Sequence, residues 1–210
     1  MDSPPPSPRK PSARTKLLEA ALQVIRTRGY AATTVDDLCA AAGVTKGAFF
    51  HHFASKEDLG VAAARYWSSS TGAMFAAAAY HAVPDPLDRV LAYLDLREAL
   101  LQGTLPDFTC LAGMMLQETY DTAPAIGAAS HAAIADHAAT LEPDFAAAIA
   151  RYGPAGCPPA ASLALYTQTV LQGAFILAKG QGGAAPAREA LSHLRRYLRL
   201  LFAKPEEERP

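Results

Sequence analysis

Cysteine is scarce in this chain: Cys39, Cys110 and Cys157 stand far apart, with no CxxC pair. That excludes a disulfide framework and the usual zinc spacings. Runs of Val, Ile and Thr are also few, while alanine fills the stretches between clusters of Gly and Pro. Such a composition favours helices over sheets. The sequence has no HExxH, no Gly-rich phosphate loop and no Ser/His/Asp arrangement; AKGQGGAAP near residue 180 reads as an interhelical loop. His51 and His52 are adjacent, so their side chains diverge by about 100° on a helix, and His131 and His137 by about 240°. Neither pair makes a metal face, and the expectation is a non-enzyme without cofactor or metal.

A long apolar run is missing too. Between Arg151 and Lys179 there is no charge, yet three prolines lie near the start of that stretch and Thr167, Gln168, Thr169 and Gln172 in its middle. A membrane-spanning helix needs about 20 predominantly apolar residues, so this segment reads as a buried or interface helix and no membrane is expected. MDSPPPSPRKPSARTK lacks the apolar centre of a signal peptide. Residues 1–13 read as a disordered, basic, Pro-rich tail, and a cytoplasmic location follows.

The net charge of −1 names no partner, but its distribution is uneven. From Arg9 to Lys56 there are eight basic residues (Arg9, Lys10, Arg14, Lys16, Arg26, Arg28, Lys46, Lys56) against three acidic (Glu19, Asp36, Asp37), a surplus of five, leaving about six net negative charges elsewhere. Solvated basic faces are common, but this asymmetry also fits a segment facing nucleic acid.

Helical spacing and caps organise the rest. Leu18, Ala21, Leu22 and Ile25 form one face of a helix that Gly29 ends. Thr34-Val-Asp-Asp37 is a capping box opening a second helix, which ends at Gly43. Thr45 caps a short third helix, and Ser55-Lys-Glu-Asp58 opens a long connecting helix through Leu59, Ala63 and Tyr66 toward Phe75. Further helices are expected over 85–102 with Pro86 in the first turn, over 109–120, over 123–152 with a kink or break at Pro143, over 159–179, and over 186–202. In the last, Leu191, Leu194, Leu198 and Phe202 make an apolar stripe.

The second and third helices, joined by a tight Gly turn, have the size of a helix-turn-helix whose second helix enters the major groove. Phe49 and Phe53 stand at i, i+4 and share the buried face, against Leu38 and Val44. Phe50 and His51 then point outward. The free N–H groups after Thr45 suit a phosphate, with Lys46 and Gly47 beside them.

The segment from Thr15 to about Leu59 resembles the DNA-binding domain of TetR/AcrR-type transcriptional regulators. The likeness rests on the contiguous run TVDDLCAAAGVTKGAFFHHFASKEDL, Thr34 to Leu59. It implies an all-α chain: a helix-turn-helix DNA-binding domain over 14–60 and a larger helical effector-binding and dimerisation domain over 61–205. It further implies that Thr33 or Thr34 and Lys56 contact phosphates. The recognition helix would present Thr45, Lys46, Gly47, Ala48, Phe50 and His51, with Lys46 and His51 the leading base-edge or phosphate contacts. Arg9, Lys10 and Arg14 would add salt-dependent, nonspecific affinity. Phe50 departs from the pattern, standing where the family usually has a tyrosine whose hydroxyl bonds a DNA phosphate. Cys39 replaces the usual alanine and is small enough for the same buried place.

The resemblance also implies a homodimer through the last two helices, binding a palindromic operator, and a small-molecule effector that releases it by reorienting the connecting helix. In the first helix of the dimerising pair, Leu163, Val170, Ala174 and Leu177 form one stripe and Gln168 and Gln172 another. Effector-binding candidates are Trp67, Phe75, Tyr93, Phe108, Cys110, Met114, Gln117, Glu118 and Phe145, with Met115, Tyr120 and His137 beside them; rings and methionines at helical spacing equally serve as core. Cys110, in FTCLAGMMLQE, opens a helix, where a thiol gains nucleophilic character. It serves there either as a sensor of thiol-reactive compounds or as packing. The competing reading is a helical ligand-binding or thiol-reactive sensor protein with weak or absent DNA binding, which the Phe50 departure favours.

Overall fold

Hydroxyl side chains set the start of each of the first four helices in the computed structural model, which describes residues 11–202. The expected tail through residue 10, with Arg9 and Lys10, and the end of the expected second domain after 202 lie outside the described residues. Ser12 caps α1 (Ala13–Arg28) by accepting Thr15 N–H. Thr34 caps α2 (Val35–Ala42) in a closed box: its hydroxyl accepts Asp37 N–H at 3.1 Å and the Asp37 carboxylate accepts Thr34 N–H at 3.0 Å. Gly43 ends α2 with φ 63°, a left-handed turn that glycine takes without cost. Two residues later Thr45 caps α3 (Lys46–His52), and Ser55 caps α4 (Lys56–Ala76). Each cap satisfies backbone N–H groups that a helix start leaves unpaired.

After a 3₁₀ turn, Ala79–Ala82, come α5 (Pro86–Ala99), α6 (Leu105–Phe108), α7 (Leu111–Thr119), α8 (Pro124–Ala139), α9 (Glu142–Tyr152), α10 (Ala160–Gln181) and α11 (Ala185–Leu201). No strand occurs among the described residues. The helix expected over 123–152 is two helices. The break falls at Thr140-Leu141, and Pro143 opens α9 in the first turn, where its missing N–H costs nothing. The helix expected to reach residue 102 stops at Ala99, and the four-residue α6 that follows has no apolar period long enough to be seen in sequence.

Two cores hold the fold. The first joins Leu17, Leu18, Ala21, Ile25, Leu38, Phe49, Phe53 and Leu59 of the first four helices to Leu111 and Met115 of α7 and Ile126 of α8. The second joins α5, α9, α10 and α11 around Tyr93, Phe145, Leu163, Leu171, Leu191, Leu194 and Phe202. The division expected near residue 60 therefore crosses a shared core rather than a gap. It also falls inside α4, at Gly60, where an added Cβ would stand 2.7 Å from Ile126 Cδ1 and 3.0 Å from the Tyr30 ring. Helices α4 and α8 meet this closely because Gly60 has no side chain.

Of the described helices, α10 is the one long and apolar enough to cross a membrane by length and composition. One face of it, with Leu163, Ala164, Thr167, Gln168, Leu171, Ala174, Phe175 and Ala178, is buried in the fold.

Candidate DNA-reading helix and effector cavity

The five rings at the end of α3 divide by the helical period. Phe49 and Phe53 are buried at 0% and 2% exposure, with ring centroids 5.8 Å apart. Phe50 stands 56% exposed, and His51 is exposed beside it. The T-shaped contact of Phe50 with Phe49, at 5.1 Å, seats the outer ring on the buried one. Lys46 reaches solvent at the first turn and pairs with Asp36 of α2 at 2.8 Å, both side chains well exposed. Such a pair adds little stability and opens readily, so the ammonium can exchange Asp36 for another anion. Thr45 uses its hydroxyl on Ala48 N–H. Gly47 is exposed and Ala48 half-buried.

Three residues named for phosphate contact sit differently. Thr33 is buried at 1% exposure, and its hydroxyl donates to the Gly29 carbonyl at 2.6 Å. Its side chain is a strut inside the turn after α1, not a surface contact. Thr34 is exposed, but its hydroxyl is engaged with Asp37 in the capping box. Lys56 is half-buried: its Nζ donates to the carbonyls of Tyr30 at 3.1 Å and Thr33 at 2.9 Å, and lies 4.4 Å from the Tyr30 ring centroid. Its charge clamps the start of α4 to the corner between α1 and α2. The sequence pattern shows a helix-start lysine and cannot show the carbonyls of a corner more than twenty residues earlier.

A cavity of about 260 Å³ opens among α1, α4, α5, α6, α7, α8 and α10. Trp67, Phe75, Phe108 and Cys110 line it as expected from sequence, and so does His137. Arg26 of α1, Thr71 and Met74 of α4, Arg97 of α5 with Leu100 just after it, Asp107 of α6, Ile134 of α8, and Gln168, Gln172 and Phe175 of α10 also line the wall; none of them stands out in the sequence as a site residue. Arg26 is the least foreseeable, because it belongs to the first helix. Its Nε donates to Leu22 O at 2.9 Å, Nη1 reaches Asp107 O at 3.4 Å, and the guanidinium lies 4.9 Å from the Trp67 ring centroid. A charged residue in the last turn of a helix reads in sequence only as a favourable dipole partner.

A second space of about 250 Å³ adjoins the first, sharing Cys110, Gln172 and Phe175. Met114, Gln117 and Glu118 line this one, with Lys179 opposite. Gln117 Nε2 is turned back to Gly113 O at 2.9 Å, and Glu118 accepts the N–H of Ala31 at 2.8 Å. Cys110 is half-buried, and its sulfur accepts Gly113 N–H at 3.4 Å as the cap of α7.

The remaining expected candidates lie off both cavities. Phe145 is fully buried in the second core, Met115 in the first, and Tyr120 is 73% exposed. Aromatic and Met residues at helical spacing signal burial, and nothing in that spacing distinguishes a core wall from a cavity wall. Tyr93 is buried behind the cavity, where its hydroxyl meets His137 Nε2 at 2.9 Å and accepts from Gln168 Nε2 at 3.3 Å. It positions two residues that do face the cavity. Burial, helped by the nearby Arg97 charge, lowers the pKa of His137 to about 4, so its ring is neutral at physiological pH.

On α10 the expected apolar stripe divides. Leu163 and Ala174 are buried and Val170 is half-buried, but Leu177 is 61% exposed. Leu177 belongs with Leu165, Tyr166 and Ile176 on the outer face, continuous with Tyr197 and Leu200 of α11 through the Tyr166–Tyr197 ring contact at 5.6 Å.

The family described as bacterial regulatory proteins, tetR family, matches residues 17–63. The chain is 48% identical over 48 residues to the HTH-type transcriptional repressor KstR2 of Mycobacterium tuberculosis, a segment covering 23% of this chain and 24% of that one. It is 34% identical over 100 residues to the HTH-type transcriptional repressor DhaR of Mycobacterium sp. (strain GP1), 48% of each chain. The likeness thus spans about a quarter to a half of these curated relatives. Solved structures match much further. A TetR transcriptional regulator from Chloroflexus aurantiacus superposes with a TM-score of 0.75 at 28% identity, over 89% of this chain and 93% of that one. The reduced form of E. coli NemR superposes with a TM-score of 0.78 at 22% identity, over 92% and 98%, a likeness of fold. Residues 17–63 therefore match the tetR family of bacterial regulatory proteins, and the all-helical fold that carries them is similar to that of solved TetR-type regulators.

Proposed function

We propose that the chain is a cytoplasmic transcriptional repressor that binds a palindromic operator as a homodimer and leaves it when a small molecule enters the cavity. The observation that carries this reading is the division of α3: Phe49 and Phe53 fix the helix from beneath, and Lys46, Phe50 and His51 are left exposed on a helix too short to need that surface for its own packing. The names of the relatives that match this segment, KstR2 and DhaR, are those of repressors.

Residues 14–60 form the DNA-reading unit and 61–205 the effector-binding and dimerising unit. One short helix contacts too few base pairs for specificity, and a two-fold pair solves this with two half-sites. The outer face of α10 and α11, with Leu165, Tyr166, Ile176, Leu177 and Leu200, supplies the apolar surface for such a pair. Gly173 sits on the same helix with open space where a Cβ would be, so a second helix can approach closely there.

The cavity and the reading head are joined by short paths. Arg26 carries α1 into the cavity wall, Trp67 and Thr71 carry α4 into it, and Glu118 ties α7 to the α1–α2 turn. A ligand that fits one arrangement of these helices better than another shifts the spacing of the two reading heads, and operator affinity falls by its differential affinity for the two states.

Selection of bound duplexes from random oligonucleotides tests the reading. An enriched inverted repeat, with half-sites about one helical turn apart, is the expected result. No enrichment over the starting pool would favour the competing reading, a ligand-binding or thiol-reactive sensor without a DNA target.

A further inference from the structure

The cavity has an unbalanced charge. Its wall holds two arginines, Arg26 and Arg97, and one carboxylate, Asp107. Arg26 is committed to the carbonyls of Leu22 and Asp107 and to the face of Trp67. The Asp107 carboxylate is turned into its own helix start, where Oδ2 accepts from Thr104 N–H at 2.7 Å and Thr104 Oγ1 at 2.6 Å. The acidic neighbours of Arg97 on α5, Asp95 and Glu98, are both held by Arg195 of α11, at 2.6 and 3.0 Å.

Arg97 itself has only rings. Its guanidinium lies 5.2 Å from the Phe75 centroid and 5.9 Å from the Phe175 centroid, and among the described residues no hydrogen bond or ion pair reaches it. Nearby His137 is neutral at physiological pH and brings no compensating charge. A half-buried guanidinium with aromatic faces and no carboxylate is a cation awaiting an anion, and its planar fork matches a carboxylate two bonds at a time. The rest of the wall is mainly apolar, with Trp67, Met74, Leu100, Phe108 and Ile134, and its other polar members, Thr71, His137, Gln168 and Gln172, carry no charge at physiological pH. The volume of about 260 Å³ lies just under the ~300 Å³ at which ordinary small-molecule pockets begin. That suits one ring or a medium chain.

We propose that the ligand of this cavity is a small amphipathic monocarboxylate, its carboxylate held by Arg97 and its apolar body against Trp67, Phe75 and Phe108. This rests on the reading of the cavity as the effector site and names the chemical class the site takes.

Trp67 is the chain's one tryptophan and lines the cavity, so its fluorescence reports occupancy directly. The full chain is titrated with benzoate, phenylacetate and octanoate, and with benzamide, phenylacetamide and octanamide, which match them in shape without the charge. The expected result is a saturable fluorescence change with at least one acid and about tenfold weaker binding of its amide, the size of one charge-assisted hydrogen bond. Arg97→Gln should abolish the acid–amide difference and Arg97→Lys should retain part of it, with circular dichroism of each variant checking the fold. The aromatic and aliphatic acids distinguish which body the walls prefer. Amides binding as well as acids, an acid–amide difference that survives Arg97→Gln, or no saturable change with any of the three acids would each overturn the proposal. DNA binding is measured separately on the same preparation. Sequence-specific binding with no acid bound defeats this inference alone, whereas saturable acid binding without any DNA preference defeats the regulator reading and leaves the ligand class standing.

Discussion

The carboxylate of Glu118, on α7, accepts the backbone N–H of Ala31, in the turn between α1 and α2, at 2.8 Å. The two residues are 87 apart in sequence, and the bond ties a helix that lines the second space to the corner on which Lys56 also closes. Glu118→Ala removes the acceptor and should cost about 0.5–1.5 kcal/mol of stability by chemical denaturation. It should also reduce the change in DNA affinity that a cavity ligand causes, with ligand affinity itself little altered. An unchanged ligand response would remove Glu118 from the path between the two units.

The ring run at the end of α3 makes opposite predictions for neighbouring residues. Phe49→Ala opens a cavity in the first core and should cost about 3–5 kcal/mol. Phe50→Ala and His51→Ala, on the exposed side, should leave the melting temperature nearly unchanged while weakening DNA binding. Lys46→Ala should weaken binding to all duplexes alike and lower the slope of log affinity against log salt by about one, as the loss of a single phosphate contact does. Thermal melts and salt-dependent anisotropy separate the two sides of the helix.

The outer face of α10 should tolerate change in the protomer and not in the dimer. Gly173→Gln meets open space within one chain and improves helix propensity, and Leu177→Arg places a charge where the side chain is already 61% exposed. Both variants should stay folded and sediment as monomers. If either remains a dimer, the interface lies elsewhere.

His137 gives a pH dependence of definite sign. Its folded pKa, about 4, lies below the ordinary value of 6.5, so between these limits the unfolded chain binds the extra proton. Stability therefore rises with pH through this window and is fully present above about 6.5. Acidification from pH 7 to pH 4 should remove about 1–3 kcal/mol through this residue, allowing for its partial exposure. His137→Gln should flatten that part of the denaturation profile; an unchanged slope would assign the acid sensitivity to other groups.

Local signals in the sequence carried the helix–Gly turn–helix of α2 and α3 and the division of its rings, though not the inward engagement of Thr33, Thr34 and Lys56. The Thr34–Asp37 box, Gly43, Thr45 and Ser55 act within four residues of themselves, and Phe49 with Phe53 needed only the helical period. The cavity was half legible. Trp67, Phe75, Phe108 and Cys110 face it, but identical signals put Phe145 in the core and Tyr120 in solvent. Arg26, Arg97, Glu118 and Lys56 owe their roles to partners on other helices. A charged side chain in a solvated-looking stretch says nothing in sequence about which distant carbonyl, ring or corner it will meet.

The most direct test of the regulator is fluorescence anisotropy of a selected duplex titrated with the full chain, in the presence of excess random-sequence DNA. The account predicts competitor-resistant binding with two protomers per duplex, lost when Lys46 and His51 are both replaced by alanine. Binding no tighter than to random DNA, or binding that survives the double replacement, would contradict it.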